Sequence, residues 1–168
     1  GAAVDLDPLT VNAAFTSLTS TGGVNGILLG GVEGTFNVTG PVNISGATGN
    51  AIRVANGGVD FTLGGTTTIT NPGLDGISLS ALTGIVDFNG GVTVTNAGAD
   101  GVRIEDSENA TVAFDSTLTV NGAANVGVRI DGTGAGTPTG SATFTGLVDL
   151  DSIDVGVLLA DTLGTTTF

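Results

Sequence analysis

Apolar residues in this chain fall in short alternating runs that return at a nearly constant interval. Gly26-Ile27-Leu28-Leu29 is echoed by Ala51-Ile52-Arg53-Val54, Gly76-Ile77-Ser78-Leu79, Gly101-Val102-Arg103-Ile104, Gly127-Val128-Arg129-Ile130 and Gly156-Val157-Leu158-Leu159, at spacings of 25, 25, 25, 26 and 29 residues. A second run keeps the same beat at Val42/Ile44, Thr67/Ile69, Val92/Val94, Leu118/Val120 and Val148/Leu150. A third is marked by Phe36, Phe61, Phe88, Phe114 and Phe144, with Phe15 and Phe168 as the same mark towards either end. Alternation with period two belongs to a strand with one buried face. A constant longer period belongs to a stack of repeated units, none of which can bury its apolar side alone. Three strands per period predict an all-β, three-faced solenoid, a parallel β-helix of about 25-residue coils with five full coils plus partial ends. Neighbouring coils would lie about 4.8 Å apart. Ile27, Ile52, Ile77, Val102, Val128 and Val157, with the phenylalanines, are expected to form its core ladders.

Turn chemistry agrees. Asn25, Asn50, Asp75, Asp100 and Asn125 precede the first strand, and Asn71 and Asn96 follow the second. Asn and Asp tolerate left-handed backbone and satisfy backbone groups at tight corners, so stacked copies should bond coil to coil. The longest turn, Asp131 to Ser141, accounts for the 29-residue spacing and reads as a surface bulge. Thirty glycines among Val, Thr, Asn, Ala and Asp leave few helix formers, which argues against helical repeats. The leucine-rich L-x-x-L-x-L pattern and the calcium-binding G-G-x-G-x-D nonapeptide are absent. From roughly Phe15 to Phe168 the coil length, strand pattern and stacked phenylalanines resemble the pectin-lyase-like right-handed parallel β-helix of bacterial surface adhesins and autotransporter-type passenger regions. The right hand is also the preferred one for parallel crossovers. The resemblance implies a secreted or cell-surface scaffold: a stalk, an adhesin passenger or a filament segment.

Charge narrows the partners. The formal net charge is −13, with three arginines and neither Lys nor His. Such a surface repels phosphate, so neither nucleic acid nor insertion into a membrane is expected. No run is long enough for a transmembrane helix, and no basic-then-apolar signal opens the chain, so an export signal is expected outside this segment. The chain starts and stops out of phase with its repeat. A fragment of a longer repeat protein is expected, or a subunit that stacks end to end with itself or docks on other surface components.

Candidate chemistry is sparse. Without His, Cys, Lys or Tyr the usual nucleophile–base pairs cannot be assembled, and no catalytic residue is assigned. Lyases of the fold that the chain resembles use basic residues with acidic calcium ligands, and only Arg53, Arg103 and Arg129 are available here. Asp149, Asp151 and Asp154 are the densest carboxylates for glycoside chemistry, without an aromatic sugar platform of Trp or Tyr. A polysaccharide-active enzyme is therefore the remotest reading. Arg103 and Arg129 should stack in adjacent coils, as should Glu105 and Asp131, with diagonal ion pairs between the rows. No cofactor is expected other than Ca2+, for which Glu105, Asp131, Asp149, Asp151 and the turn Glu105-Asp106-Glu108 are the candidates. Thr68/Thr70, Thr93/Thr95 and Thr117/Thr119 resemble the T-x-T ladder of ice-binding solenoids, interrupted at Asn43/Ser45 and Asp149/Asp151. Ice or calcium binding is thus the alternative to a structural role. Three N-x-[ST] triplets begin at Asn37, Asn43 and Asn109, a number expected by chance in a chain so rich in Asn and Thr.

Overall fold

The computed structural model describes residues 1–107, 109–132, 140–160 and 164–168. The chain runs through β1 (Val4–Leu6), β2 (Thr10–Phe15) and β3 (Leu18–Thr21), then β4 (Ile27–Gly30), β5 (Glu33–Val38) and β6 (Val42–Ser45). The middle coils hold β7 (Ile52–Ala55), β8 (Asp60–Leu63), β9 (Thr67–Thr70), β10 (Ile77–Ser80), β11 (Ile85–Phe88) and β12 (Val92–Thr95). β13 (Val102–Glu105), β14 (Thr111–Phe114), β15 (Leu118–Asn121), β16 (Val126–Asp131), β17 (Ser141–Phe144), β18 (Val148–Asp151), β19 (Val155–Ala160) and β20 (Thr165–Thr167) complete it. Every third strand joins the same sheet. Sheet A is β1-β4-β7-β10-β13-β16-β19, sheet B is β2-β5-β8-β11-β14-β17-β20, and sheet C is β3-β6-β9-β12-β15-β18. All pairings are parallel, so the fold is an all-β solenoid with three faces, as expected. Six coil steps in a seven-stranded sheet give an axis about 29 Å long.

Inward positions form rows along that axis. In sheet A, Ile27, Ile52, Ile77, Val102 and Val128 are fully buried at 0%, one above another. Val157 continues the row in register with Val128 but is 40% exposed, because β19 is the edge strand of sheet A. The small residue before each sheet A strand has a steric cause. A Cβ on Gly76 would lie 2.5 Å from Val94 Cγ1, so the second inward side chain of sheet C packs against this backbone. Left-handed corners follow sheet C at Gly46, Asn71, Asn96 and Ser152, and sheet A at Gly31, Asn56, Ala81 and Asp106. At one of them Asn96 Nδ2 donates to Asn71 Oδ1 at 3.0 Å, which is the expected bond between stacked asparagines.

The phenylalanine ladder is less regular than one residue per coil suggests. Phe36 and Phe61 occupy the first inward position of sheet B, in register with Val86 above them. Phe88, Phe114 and Phe144 occupy the second inward position, in register with Leu63 below. The rings still touch throughout. They stack at 4.5 and 5.0 Å between Phe88, Phe114 and Phe144, and cross over edge-on at 6.1 Å and 64° between Phe61 and Phe88. The 27-residue gap from Phe61 to Phe88 is the trace of this step, because two extra residues move a side chain to the next position on the same face.

One core position is chemically odd. Thr67 sits between Val42 and Val92 in the first inward row of sheet C, 1% exposed, and its Oγ1 has no hydrogen-bond partner. An unsatisfied buried hydroxyl costs about 1–3 kcal/mol, and valine has nearly the same shape. Thr67→Val is expected to stabilise the protein by about 1 kcal/mol, a rise in Tm of about 2–4 °C by circular dichroism. An unchanged or lower Tm would show that the hydroxyl has a partner in solution.

Candidate functional site

The outward faces differ in chemistry, and sheet A carries all three arginines. Arg53, Ser78, Arg103 and Arg129 form one row in successive coils. Beside it runs a row of corner residues in which each side chain caps the next coil. Asn50 Oδ1 accepts the Asp75 N–H at 3.0 Å, Asp75 Oδ1 accepts the Asp100 N–H at 3.1 Å, and Asp100 Oδ1 accepts the Val126 N–H at 3.2 Å. Asn125 was expected in this row. The extra residue of the 26-residue coil puts Val126 there instead and leaves Asn125 exposed.

The arginines do not pair diagonally with Glu105 and Asp131. Arg129 Nε donates to the remaining oxygen of Asp100 at 2.6 Å, reaching into the coil below, where Asp100 is only 3% exposed. That hydrogen bond is the main reason why the Arg129 pKa is raised. Burial pushes the Asp75 carboxyl up, partly offset by the Asp100 N–H it accepts, and the Asp100 charge adds to the rise. Arg103 Nη2 binds Glu105 Oε1 at 2.7 Å within its own strand, while its Nε is buried without a partner. These are the ion pairs among the described residues, and Arg53 belongs to neither. The charge-assisted Arg129–Asp100 bond, half-buried and bridging two coils, is the stronger of the two. The sequence signal for it was the Asn/Asp recurrence before sheet A. Nothing in the spacing showed that two of those carboxylates are buried.

The calcium candidates are split between faces. Glu105 and Asp131 are in register on sheet A, whereas Asp149 and Asp151 project from β18 on sheet C, where Asp151 Oδ1 accepts the Ser152 N–H at 2.8 Å. Among the described residues no three acidic side chains converge as a metal site. Glu108, and residues 133–139 of the long turn, lie outside the described residues. Asp149 and Asp151 are exposed, and neither they nor Asp154 takes part in an ion pair among the described residues.

Sheet C carries the threonine array with a corrected register. Its outward rows are Thr19-Asn43-Thr68-Thr93-Thr119-Asp149 and Thr21-Ser45-Thr70-Thr95-Asn121-Asp151. Thr117 is not part of it: its carbonyl accepts the Val92 N–H at a corner, and Asn121 lies opposite Thr95. Thr19 and Thr21 extend the array by one coil. No protein-family model, no curated protein and no solved structure matches this chain.

Sheet B carries Asp60 in β8 and Asp87 in β11, and Asp115 follows directly on β14. Burial, then the charges of Asp115 and Asp60, push the Asp87 carboxyl up. An acid whose pKa is higher folded than unfolded binds its proton more tightly in the fold. Stability is therefore gained as pH falls through the folded value and is reduced above it. Asp75 acts in the same direction. Asp87→Asn is expected to raise Tm at pH 7, with the gap to the parent closing by about pH 3, where the unfolded carboxyl is protonated too. A gap that persists at that pH would assign the effect to something other than ionisation.

Proposed function

We propose that the chain is a load-bearing segment of an extracellular scaffold: a cell-surface stalk, an adhesin passenger or a filament. The carrying observation is that three parallel sheets run in unbroken register from β1, β2 and β3 to β19, β20 and β18. Pulling or bending such a rod strains many backbone bonds at once, and a protease meets few open loops in the regular coils. Acidic outward residues keep the rod soluble. Val155, Val157, Leu159 and Phe168 are 40–56% exposed beside the unpaired edges of β19 and β20. A further coil laid on them, from the same polypeptide or from another copy, would bury this surface and continue every ladder. The surface location, the adhesive role and the kinship with pectin-lyase-like adhesins belong to this proposal, supported by the solenoid architecture and the composition.

The threonine array favours a second reading. Six in-register coils place hydroxyl, amide or carboxylate groups in two parallel rows on one face, a regular polar lattice suited to ordered water.

Small-angle scattering and electron microscopy test the first reading. A rod is expected whose cross-section stays constant while any assembly grows by whole subunit lengths. Assemblies that widen instead of lengthening along one axis, or measurable turnover of an acidic polysaccharide, would contradict it. Thermal hysteresis lost in Thr93→Lys would establish the second reading, and its absence in the parent would remove it.

A further inference from the structure

Beyond the scaffold reading, we infer that a notch on sheet A near the first coils binds a small zwitterion of the α-amino-acid class. The notch has a volume of about 290 Å³ and is lined by Asp7, Leu28, Gly30, Arg53, Ala55 and Asn56, among others. Its origin lies in the outward rows. One row reads Asp5-Leu28-Arg53, and the next reads Gly30-Ala55, with Asp7 at the end of β1 beside Gly30. Gly30 therefore interrupts the second row where its neighbours carry side chains. A Cβ there would lie 3.2 Å from Asp7 Oδ1, so the glycine leaves room for the Asp7 carboxylate to lean over β4.

The charges across this gap are not engaged. Arg129 pairs with the adjacent coil and Arg103 within its own strand, whereas Arg53 makes no ion pair among the described residues. Asp7 and Arg53 stand two coils and two residues apart, about 12 Å at the backbone, with Leu28 and Gly30 on the coil between them. In a chain of net charge −13, Arg53 is the one guanidinium without an ion pair among the described residues. An anion alone would meet Asp7, and a cation alone would meet Arg53. A molecule with both groups meets a complement at each end. Its carboxylate takes the planar fork of Arg53, the geometry that makes such pairs directional. Its ammonium faces Asp7. Its short carbon skeleton lies on the half-buried Leu28 side chain. Asn56, held at φ 57 on the adjoining corner, offers an amide at the rim. The volume is at the small end for ligand sites, of order 300 Å³, and limits the ligand to a single amino-acid-sized unit. The open setting keeps the affinity weak, since exposed pairs contribute little each.

Titration of the 15N-labelled 168-residue protein with L-alanine tests this, with acetate and methylammonium as half-ligands. Saturable amide shifts are expected at Gly30, Gly31, Ala55 and Asn56, with little change in the distal coils. Alanine should shift these amides at lower concentration than acetate or methylammonium, and Arg53→Gln and Asp7→Asn should each abolish the alanine response. Both side chains are exposed, so unchanged signals from β10–β15 would certify the fold of each variant. Absence of saturable shifts at these amides would overturn the inference. So would alanine binding that survives Arg53→Gln. An alanine response matched by acetate and indifferent to Asp7→Asn would reduce the notch to an anion hold and overturn the zwitterion.

Discussion

Among the described residues, no strand finds its ladder partner within its own coil. β7 bonds to β4 below and β10 above, and the same holds around all three faces. A coil of about 25 residues encloses too little apolar surface to offset the entropy of ordering it, so each coil is stable only as a neighbour. Register is therefore the constraint on which the rest depends. A slip of one residue would turn every inward side chain outward. A slip of two would break the rows that let Ile52 rest on Ile27 and Ile77 on Ile52.

Irregularity is permitted only where it leaves register intact, which is at the corners. The additional residue before β16 is absorbed at Asn125, and Val126 takes over the hydrogen bond from Asp100. The longer stretch between Asp131 and Ser141 likewise returns β17 to exact pairing of Ser141 with Thr111. Corner residues also bridge coils. The Asn50–Asp75–Asp100 succession and the Asn71–Asn96 bond tie each coil to the next through side chains, adding to the backbone ladder where the chain bends. Burying Asp75 and Asp100 beside that function carries an electrostatic cost, which Arg129 offsets at Asp100.

Coil period, strand number and the inside–outside alternation were legible in the sequence, because a solenoid repeats one local pattern and the repeat itself reports the stacking. What escaped was set by the third dimension. The sidestep of the phenylalanines from Phe61 to Phe88 preserves contact between rings while changing rows, and only packing across the interior distinguishes the two rows. Thr117 was grouped with Thr119 by motif, although pairing places Asn121 opposite Thr95. Arg129 found Asp100 rather than Glu105 or Asp131, since a long side chain can reach diagonally to a buried acceptor. The unengaged Arg53 and the gap at Gly30 could not be read at all without the alignment of three coils. Functional chemistry was hard to read for a related reason. The outward positions are rich in Thr, Asn and Asp, residues that serve solubility, strand and turn propensity and leave no spacing motif.

The central claim is the coil-by-coil register, and the absence of cysteine makes it directly measurable with spin labels placed only where wanted. Double electron–electron resonance between labels at Thr19→Cys and Thr119→Cys spans four coil steps of one outward row, and between Thr19→Cys and Asp149→Cys it spans five. Backbone separations of about 19 and 24 Å are expected, so the second distance should exceed the first by about one strand spacing. Equal distances, or a second distance longer by several coil steps, would contradict the stack.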